Sequence, residues 1–383
     1  MADQRTLVQL VPELESGGVE RGTVEVAGHA VGEGWRSIVI SGGGRLVSRV
    51  ESSGARHLQL SIGKKSPWTL AHIPRLKKWF MRWASEGGVV VHARSRVPAW
   101  VGLMAQRGVR RRVPVRFVTT VHGFNSVNSY SRVMTRGDRV ICVSDSIRSY
   151  LLESYRGLSP EKLVVIPRGV DDREFPRGYQ PESTWRAEWE KEFPQFKGKR
   201  LIVLPGRITR LKGHLDFIRM LGELCTRWPD LHGLIVGDAS PRHGPYVEEL
   251  RSLLKQLGLE KRVTMIGYRP DVREVFSSAR LVLNLSTKPE SFGRTVLEAL
   301  ALGVPAAGYD RGGTGEVLAA MFPQGRLKEG SALLLANQVD ELLQNERAQP
   351  RANCFPKSKW LESEFALYRR IITSPIPVAD DEN

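Results

Sequence analysis

The sequence lacks the features of a membrane-spanning, secreted or disulfide-stabilised protein. Cysteine is scarce, and Cys142, Cys225 and Cys354 are odd in number and far apart, which argues against a disulfide framework and a Cys-x-x-Cys metal site. No uninterrupted apolar run approaches the roughly 20 residues that a membrane helix needs. The first residues show no basic start, long apolar centre or small-residue cleavage site, so no secretory signal is evident. We therefore expect reduced thiols and a cytoplasmic protein.

Motifs that hold catalytic metals are absent as well. The sequence contains no Asp-x-Asp triplet, no His-Glu-x-x-His and no cluster of cysteines. Such motifs bring the carboxylate, imidazole or thiolate ligands of a metal together at short spacing. We therefore expect no catalytic metal and no bound cofactor.

Charge is plentiful and unevenly distributed. The net charge is +16, and residues 1–170 hold 26 Lys and Arg against 12 Asp and Glu, whereas residues 171–383 hold 31 against 29. A one-sided basic field suits a nucleic acid, an anionic membrane or a phosphorylated acceptor. A solvated basic surface with no partner is the alternative. Two clusters carry much of the excess: Lys64, Lys65, Arg75, Lys77, Lys78 and Arg82 among Trp68, Trp79, Phe80 and Trp83, and Arg107, Arg110, Arg111, Arg112 and Arg116.

The length and the pattern of apolar residues predict two α/β domains. A chain of 383 residues exceeds what one compact core usually holds. Short β-rich apolar runs alternate with helical stretches, which is typical of βαβ units and a parallel sheet. The predicted parts are a Rossmann-like domain over 1–170, a linker over 171–199, a second Rossmann-like domain over 200–350, a terminal helix over 351–372 that crosses back, and a disordered tail over 373–383.

The richest stretch for chemistry lies between residues 281 and 316. Its loop Ser291, Phe292, Gly293 and Arg294 follows a predicted strand and opens a predicted helix. Free N–H groups and the helix dipole at such a position favour a bound diphosphate, and glycine allows the backbone to approach it closely. Glu298 lies about one turn into that helix, where its carboxylate suits the ribose hydroxyls of a nucleotide. Glu290 precedes the helix and can reach another part of the same ligand; in isolation, a solvated helix residue and a helix cap are the simpler interpretation of the two acids.

This stretch resembles the signature of the GT-4 family of glycosyltransferases, in which Glu-x7-Glu marks the donor site. The resemblance includes Gly303-Val-Pro305 and the segment from Gly312 to Glu316. Gly206-Arg207 followed by Lys212-Gly213 is similar to another family segment. Arg207 and Lys212 supply the two cations that a leaving nucleoside diphosphate needs as its negative charge develops.

Further landmarks of the family are spread over most of the chain. The resemblance implies that Gly17 and Gly18 form an amino-terminal glycine loop, that His122 contacts the donor sugar, and that Gly267 and Tyr268 border the base. The segment Ile166-Pro-Arg168-Gly-Val-Asp171 departs from the family pattern, which has Asn where Arg168 stands. The implied catalytic residues are Glu290, His122, Arg207 and Lys212. The implied donor-binding residues are Gly17, Gly18, Arg207, Lys212, Gly267, Tyr268, Ser291, Phe292, Gly293, Arg294 and Glu298.

Taken together, the sequence predicts a retaining glycosyltransferase of the GT-B type, with two Rossmann-like domains whose sheets face each other across a cleft. The resemblance implies transfer from a nucleoside-diphosphate sugar to a hydroxyl of a glycan or glycolipid acceptor. Family and charge together suggest an anionic acceptor of bacterial lipopolysaccharide or envelope polysaccharide, and a peripheral position on the cytoplasmic face of the inner membrane. Two alternatives stay open: a GT-B sugar-nucleotide epimerase, and a basic nucleic-acid-binding protein with a Rossmann-like core. We expect no nucleic acid as partner.

Overall fold

The chain folds into two compact units, which we describe separately. The computed structural model describes residues 4–15, 17–240, 243–345 and 347–374. The first unit comprises residues 1–167 and 359–383, and the second comprises residues 168–358. Of the tail predicted to be disordered, residues 375–383 lie outside the described part.

The first unit is built on a parallel sheet of seven strands in the order β3-β2-β1-β4-β5-β6-β7. The central strands are mostly apolar and are buried along their whole length, as expected where helices cover both faces of a parallel sheet. The strands are β1 Thr6–Leu10, β2 Arg36–Ser41, β3 Arg56–Gln59, β4 Val89–Ala93, β5 Val115–Val121, β6 Arg139–Cys142 and β7 Leu163–Val165. The helices are α1 Gly18–Gly32, α2 Val47–Ser52, α3 Ile73–Ala84, α4 Arg96–Arg107 and α5 Asp145–Ser154.

The second unit repeats this plan with six parallel strands in the order β10-β9-β8-β11-β12-β13. Its strands are β8 Arg200–Pro205, β9 Leu231–Val236, β10 Val263–Met265, β11 Leu281–Asn284, β12 Ala306–Tyr309 and β13 Arg326–Leu327. Its helices are α6 Ser183–Glu192, α7 His214–Leu224, α8 Gly244–Gln256, α9 Val272–Ser277, α10 Arg294–Ala301, α11 Gly312–Met321 and α12 Ala332–Gln344. The prediction of two parallel-sheet α/β domains is confirmed.

Residues 171–199, interpreted from the sequence as a linker, lie within the second unit and contain α6. Trp189 is buried and stacks on Trp185 with ring centroids 5.0 Å apart. The Trp185 Nε1 donates to an oxygen of Asp271 at 2.8 Å. These contacts attach the segment to the loop that opens α9.

A last helix, α13 Lys357–Thr373, packs on the sheet of the first unit. Phe365 is fully buried and meets Trp35 edge-on, with ring centroids 5.6 Å apart. Tyr368 is also fully buried in the same core, beside Leu7 and Val90 of the central strands. The first unit is therefore assembled from two segments of chain that lie far apart in sequence.

No helix within the described ranges combines the length and the apolar character that a membrane crossing requires.

Candidate active site

Most of the predicted site residues of the second unit lie at one edge of its sheet. Parallel strands end at the same edge, and in open α/β sheets ligands bind beyond the carboxyl ends where the strand order reverses. Here β8 lies between β9 and β11, so the reversal falls between the loops that follow β8 and β11. Arg207 and Lys212 lie on the first loop, and Glu290 lies on the second.

An ion pair joins these two loops. The Lys212 Nζ donates to Glu290 Oε1, and the Ser286 hydroxyl donates to the same oxygen at 2.5 Å. Burial favours the protonated carboxyl, but the charge of Lys212 and the hydrogen bonds from Lys212, Ser286 and Asn284 outweigh it, so the pKa of Glu290 lies below its ordinary value. Glu290 is therefore held as a carboxylate beside a cation.

The loop from Ser291 to Arg294 brings two helix starts together. Gly293 caps α10 with φ +82°, a left-handed conformation that favours glycine. A Cβ at this position would lie 2.9 Å from the Cα of Thr314 on α11, and the Gly313 N–H donates to the Glu290 carbonyl at 2.8 Å. Phe292 is buried behind the loop. The starts of α10 and α11 therefore lie close together, and the positive end of each helix favours an anion nearby.

Glu298 lies on α10 as predicted and is 6% exposed. Its Oε1 accepts from Arg294 Nε at 2.8 Å, an i,i+4 pair on one helix face. This contact fixes the carboxylate near the start of α10, one turn from Gly293.

Arg207 is exposed after Gly206, which has φ +138°. Both Arg207 and Lys212 border a cavity of about 570 Å³, together with His243 and Tyr246 at the start of α8. Among the described residues Arg207 has no ion-pair partner, so its guanidinium is available to an anionic ligand.

Gly267 and Tyr268 occupy the carboxyl end of β10, at the far side of the same edge. Gly267 has φ +73°, and its carbonyl accepts from the Gly237 N–H at 2.8 Å. The Tyr268 N–H donates to Asp238 Oδ1 at 2.9 Å, while the Tyr268 side chain is 59% exposed. An exposed aromatic ring on a fixed backbone suits stacking against a planar group.

The remaining predicted residues lie in the first unit. Gly17 caps α1, and Val19 and Glu20, which follow Gly18, border a cavity of about 260 Å³ together with His122. These two motifs lie about a hundred residues apart in the sequence, and the parallel sheet brings them to the same edge.

Sequence reasoning missed Arg94, which follows β4 and lines the cavity of His122. A charged residue just beyond an apolar strand is the signal that could have found it. Asp238, two residues beyond β9, holds the backbone of Tyr268; its segment is similar to a family strand that ends in Gly-Asp, although Asp238 was not among the predicted site residues.

Two parallel-sheet α/β units of seven and six strands are the architecture of the GT-B fold, and the second carries Arg207, Lys212 and two helix starts at one edge of its sheet. Models of "Glycosyltransferase Family 4" and "Glycosyl transferases group 1" match residues 16–174 and 186–358 respectively. The chain belongs to the GT-4-type glycosyltransferases, as the sequence predicted.

Relatives and a solved structure agree with this assignment. The chain is 26% identical to N-acetyl-α-D-glucosaminyl L-malate synthase of Bacillus anthracis over 75% of its length and 73% of the relative. It is 31% identical to D-inositol 3-phosphate glycosyltransferase of Corynebacterium jeikeium over 48% of its length, which spans 43% of that protein. A glycosyltransferase structure from Rickettsia africae superimposes with a TM-score of 0.85, covering 98% of this chain and 100% of that one at 26% identity.

Proposed function

We propose that this glycosyltransferase transfers a sugar from a nucleoside-diphosphate sugar to a hydroxyl of an anionic acceptor, with retention of the anomeric configuration and without a metal. The setting we propose is bacterial lipopolysaccharide or envelope polysaccharide synthesis. The observation that carries the proposal is the pairing of Lys212 with Glu290 beside the starts of α10 and α11.

The donor diphosphate fits the positive ends of these two helices. Its negative charge grows as the bond between the sugar carbon and the phosphate oxygen breaks, because the phosphate keeps the electron pair. Arg207 and Lys212 lie where they stabilise that charge, the part that a metal plays in other enzymes. Glu290, held ionised, is suited to accept hydrogen bonds from sugar hydroxyls, and Glu298 is suited to the ribose.

Retention is proposed from the family and from the absence of an obvious nucleophile among the predicted residues. In a front-face displacement the acceptor oxygen bonds to the sugar carbon on the side from which the diphosphate leaves. The proton of the acceptor hydroxyl passes to the departing phosphate. The name of the Bacillus relative contains an α-linked sugar, and an α-linked product from an α-configured donor is a retained one.

An anionic acceptor is supported by charge and by the relatives. The excess positive charge belongs to residues 1–170, and the names of the two relatives contain malate and inositol 3-phosphate. Both compounds carry negative charge near hydroxyl groups.

A membrane surface is the second proposed partner, and the segment from Pro67 to Ala84 is its contact. Trp68 is 82% exposed, Leu70 46% and Met81 41%, beside exposed basic residues. Phe80 and Trp83 of the same aromatic cluster are instead buried in the first unit. Exposed tryptophan among basic residues is typical of binding to an anionic bilayer surface.

A nucleotide panel tests the donor assignment. Thermal shifts with UDP, GDP and ADP should show a clear preference for one base, since a ligand at one hundred times its dissociation constant adds about 2.7 kcal/mol to the free energy of unfolding. NMR analysis of the product formed from the matching α-configured sugar nucleotide then determines its anomeric configuration. A β-linked product would contradict retention, and turnover of the sugar nucleotide without hydrolysis or transfer would favour the epimerase.

Vesicle sedimentation tests the membrane contact. The variant Trp68→Ala with Leu70→Ala should lose binding to vesicles with anionic lipid, while Leu333→Ala, an equally exposed leucine of the second unit, should not. Equal binding of the wild type to anionic and neutral vesicles at low salt would refute this contact.

A further inference from the structure

A buried ionic network lies behind the cavity of His122 in the first unit. Its centre is the pair formed by Arg94, which follows β4, and Glu364 on α13, whose side chains are each 1% exposed. The Arg94 Nη2 donates to Glu364 Oε1 at 2.7 Å, and the Arg94 Nε donates to Gln9 Oε1 at 2.9 Å. Two of the three guanidinium nitrogens are therefore fixed by residues from β1 and α13.

Glu364 is itself held on several sides. The Trp360 Nε1 donates to Oε2 at 2.9 Å, the Tyr368 hydroxyl donates to Oε1 at 2.5 Å, and His92 Nδ1 lies 3.2 Å from Oε1. Burial opposes its ionisation, but the charge of Arg94 and these contacts hold the pKa of Glu364 far below its ordinary value. Glu364 therefore stays ionised, and its carboxylate is held in a fixed position.

Arg94 also forms part of the cavity wall. Within the described part of the chain its Nη1 makes no hydrogen bond, so two N–H groups remain for a ligand. Arg96 lines the same cavity at the first residue of α4, where the helix dipole is positive. Glu20 is the one acidic side chain among the lining residues of this cavity that the structure describes.

We propose that Arg94 is an anion-binding residue of the acceptor site, presented to the cavity by Glu364 and Gln9. Its ligand is an oxyanion of the acceptor, a carboxylate or a phosphate, bound close to the hydroxyl that accepts the sugar. A guanidinium whose other nitrogens are already fixed loses little freedom on binding and presents a planar pair of donors. This inference rests on the proposed function only in assigning the cavity to the acceptor.

The test compares two variants that differ at residue 94 alone. Glu364→Gln keeps a hydrogen-bond acceptor opposite Arg94 and removes the carboxylate charge. Because it leaves the buried Arg94 cation without its ionic partner, its folding is checked by circular dichroism, and the wild type replaces it as the reference if it does not fold. The double variant Arg94→Met with Glu364→Gln removes the cation without leaving a buried charge unpaired, so it is expected to fold. The probes are L-malate, D-inositol 3-phosphate and neutral myo-inositol, with binding to the full chain measured by calorimetry.

Wild type and Glu364→Gln should bind at least one anionic probe, with Glu364→Gln equal or tighter. The double variant should bind that probe about tenfold or more weakly, as expected for the loss of a charged hydrogen bond. The double variant and Glu364→Gln should bind neutral myo-inositol with the same affinity. Which anion binds distinguishes a carboxylate from a phosphate acceptor.

Equal affinity of the two variants for the anion would overturn the inference, and so would a wild type that binds neither anion. The thermal shift with the preferred nucleotide is recorded on the same samples. If the nucleotide shift is normal and the double variant binds the anion as tightly as Glu364→Gln, Arg94 has no role in anion binding and the proposed donor site is unaffected. If no nucleotide shifts the melting temperature, the proposed function itself is refuted.

Discussion

At the scale of single residues, the Lys212–Glu290 pair links two loops 78 positions apart in sequence. Removing the cation in Lys212→Met should raise the pKa of Glu290, because burial then acts without the opposing charge. A carboxyl with a depressed pKa stabilises the fold above its unfolded pKa, and that contribution disappears as pH falls through the folded pKa. In Lys212→Met, the contribution of Glu290 to the stability of the fold should begin to disappear at a higher pH than in the wild type.

Carbon-detected NMR titration of the Glu290 carboxyl measures this shift directly. Lys288→Met is the control, because Lys288 is an exposed lysine two residues away that is not among the main causes of the lowered pKa of Glu290. An identical titration in Lys212→Met and wild type would show that the pair contributes nothing in solution.

Glu298 carries a second prediction at this scale. If its carboxylate binds the ribose, Glu298→Gln should raise the KM for the donor about tenfold with little change in kcat, since a hydrogen bond to a charged group contributes about 1.5–3 kcal/mol. Glu341→Gln on α12 is an exposed acid-to-amide control. Donor saturation curves measured at fixed acceptor concentration give this KM, and an unchanged KM would show that Glu298 does not bind the donor.

Local motifs were readable from the sequence, and the network of Arg94 was not. Glu290, Gly293 and Lys212 lie on strand–loop–helix segments, and their predicted roles come from the resemblance of these short segments to motifs of the family. The partner of Arg94 lies 270 positions away on α13, and neither residue belongs to a recognised motif. Their contact depends on the packing of a distant helix, which one sequence alone does not specify.

At the scale of elements, Gly293 allows α10 to start against α11. Gly293→Ala should reduce the free energy of unfolding by about 1–3 kcal/mol for the left-handed backbone alone, and by more because its Cβ would lie 2.8 Å from the Thr314 hydroxyl oxygen. Gly198→Ala is the matched control, since Gly198 has φ +68° with open space around it.

The difference between the two variants in chemical denaturation isolates the steric part. Gly293→Ala should also abolish the thermal shift with nucleotide, which Gly198→Ala should keep. If both substitutions changed the free energy of unfolding and the nucleotide shift equally, the close approach of α10 and α11 at Gly293 would contribute nothing to either.

Two of the four edge strands, β3 and β13, were the strands that the sequence did not reveal. β3 reads Arg-His-Leu-Gln and lies at the margin of the first sheet, and β13 has two residues at the margin of the second. Polar or very short edge strands protect a sheet from pairing with other chains, and the same property removes the apolar run by which central strands were recognised.

At the scale of the whole molecule, α13 completes the first unit after the chain has formed the second. A fragment of residues 168–358 should unfold cooperatively and respond to nucleotide. A fragment of residues 1–167 should show no cooperative thermal transition by circular dichroism, because it lacks Phe365 and Tyr368 of the core and leaves Arg94 buried without Glu364.

Joining residues 357–374 to residue 167 through a flexible linker should restore that transition. A cooperative transition in residues 1–167 alone would show that α13 is dispensable for the first unit.

The late position of α13 also sets the order of events during synthesis. About two hundred residues separate the end of β7 from Phe365, so on the order of tens of seconds pass between their departures from the ribosome. The unit that begins first is therefore completed after the unit that begins second. A chain stopped before α13 would carry the second unit and a first unit whose apolar sheet face lacks its cover, which is the kind of surface that chaperones and proteases recognise.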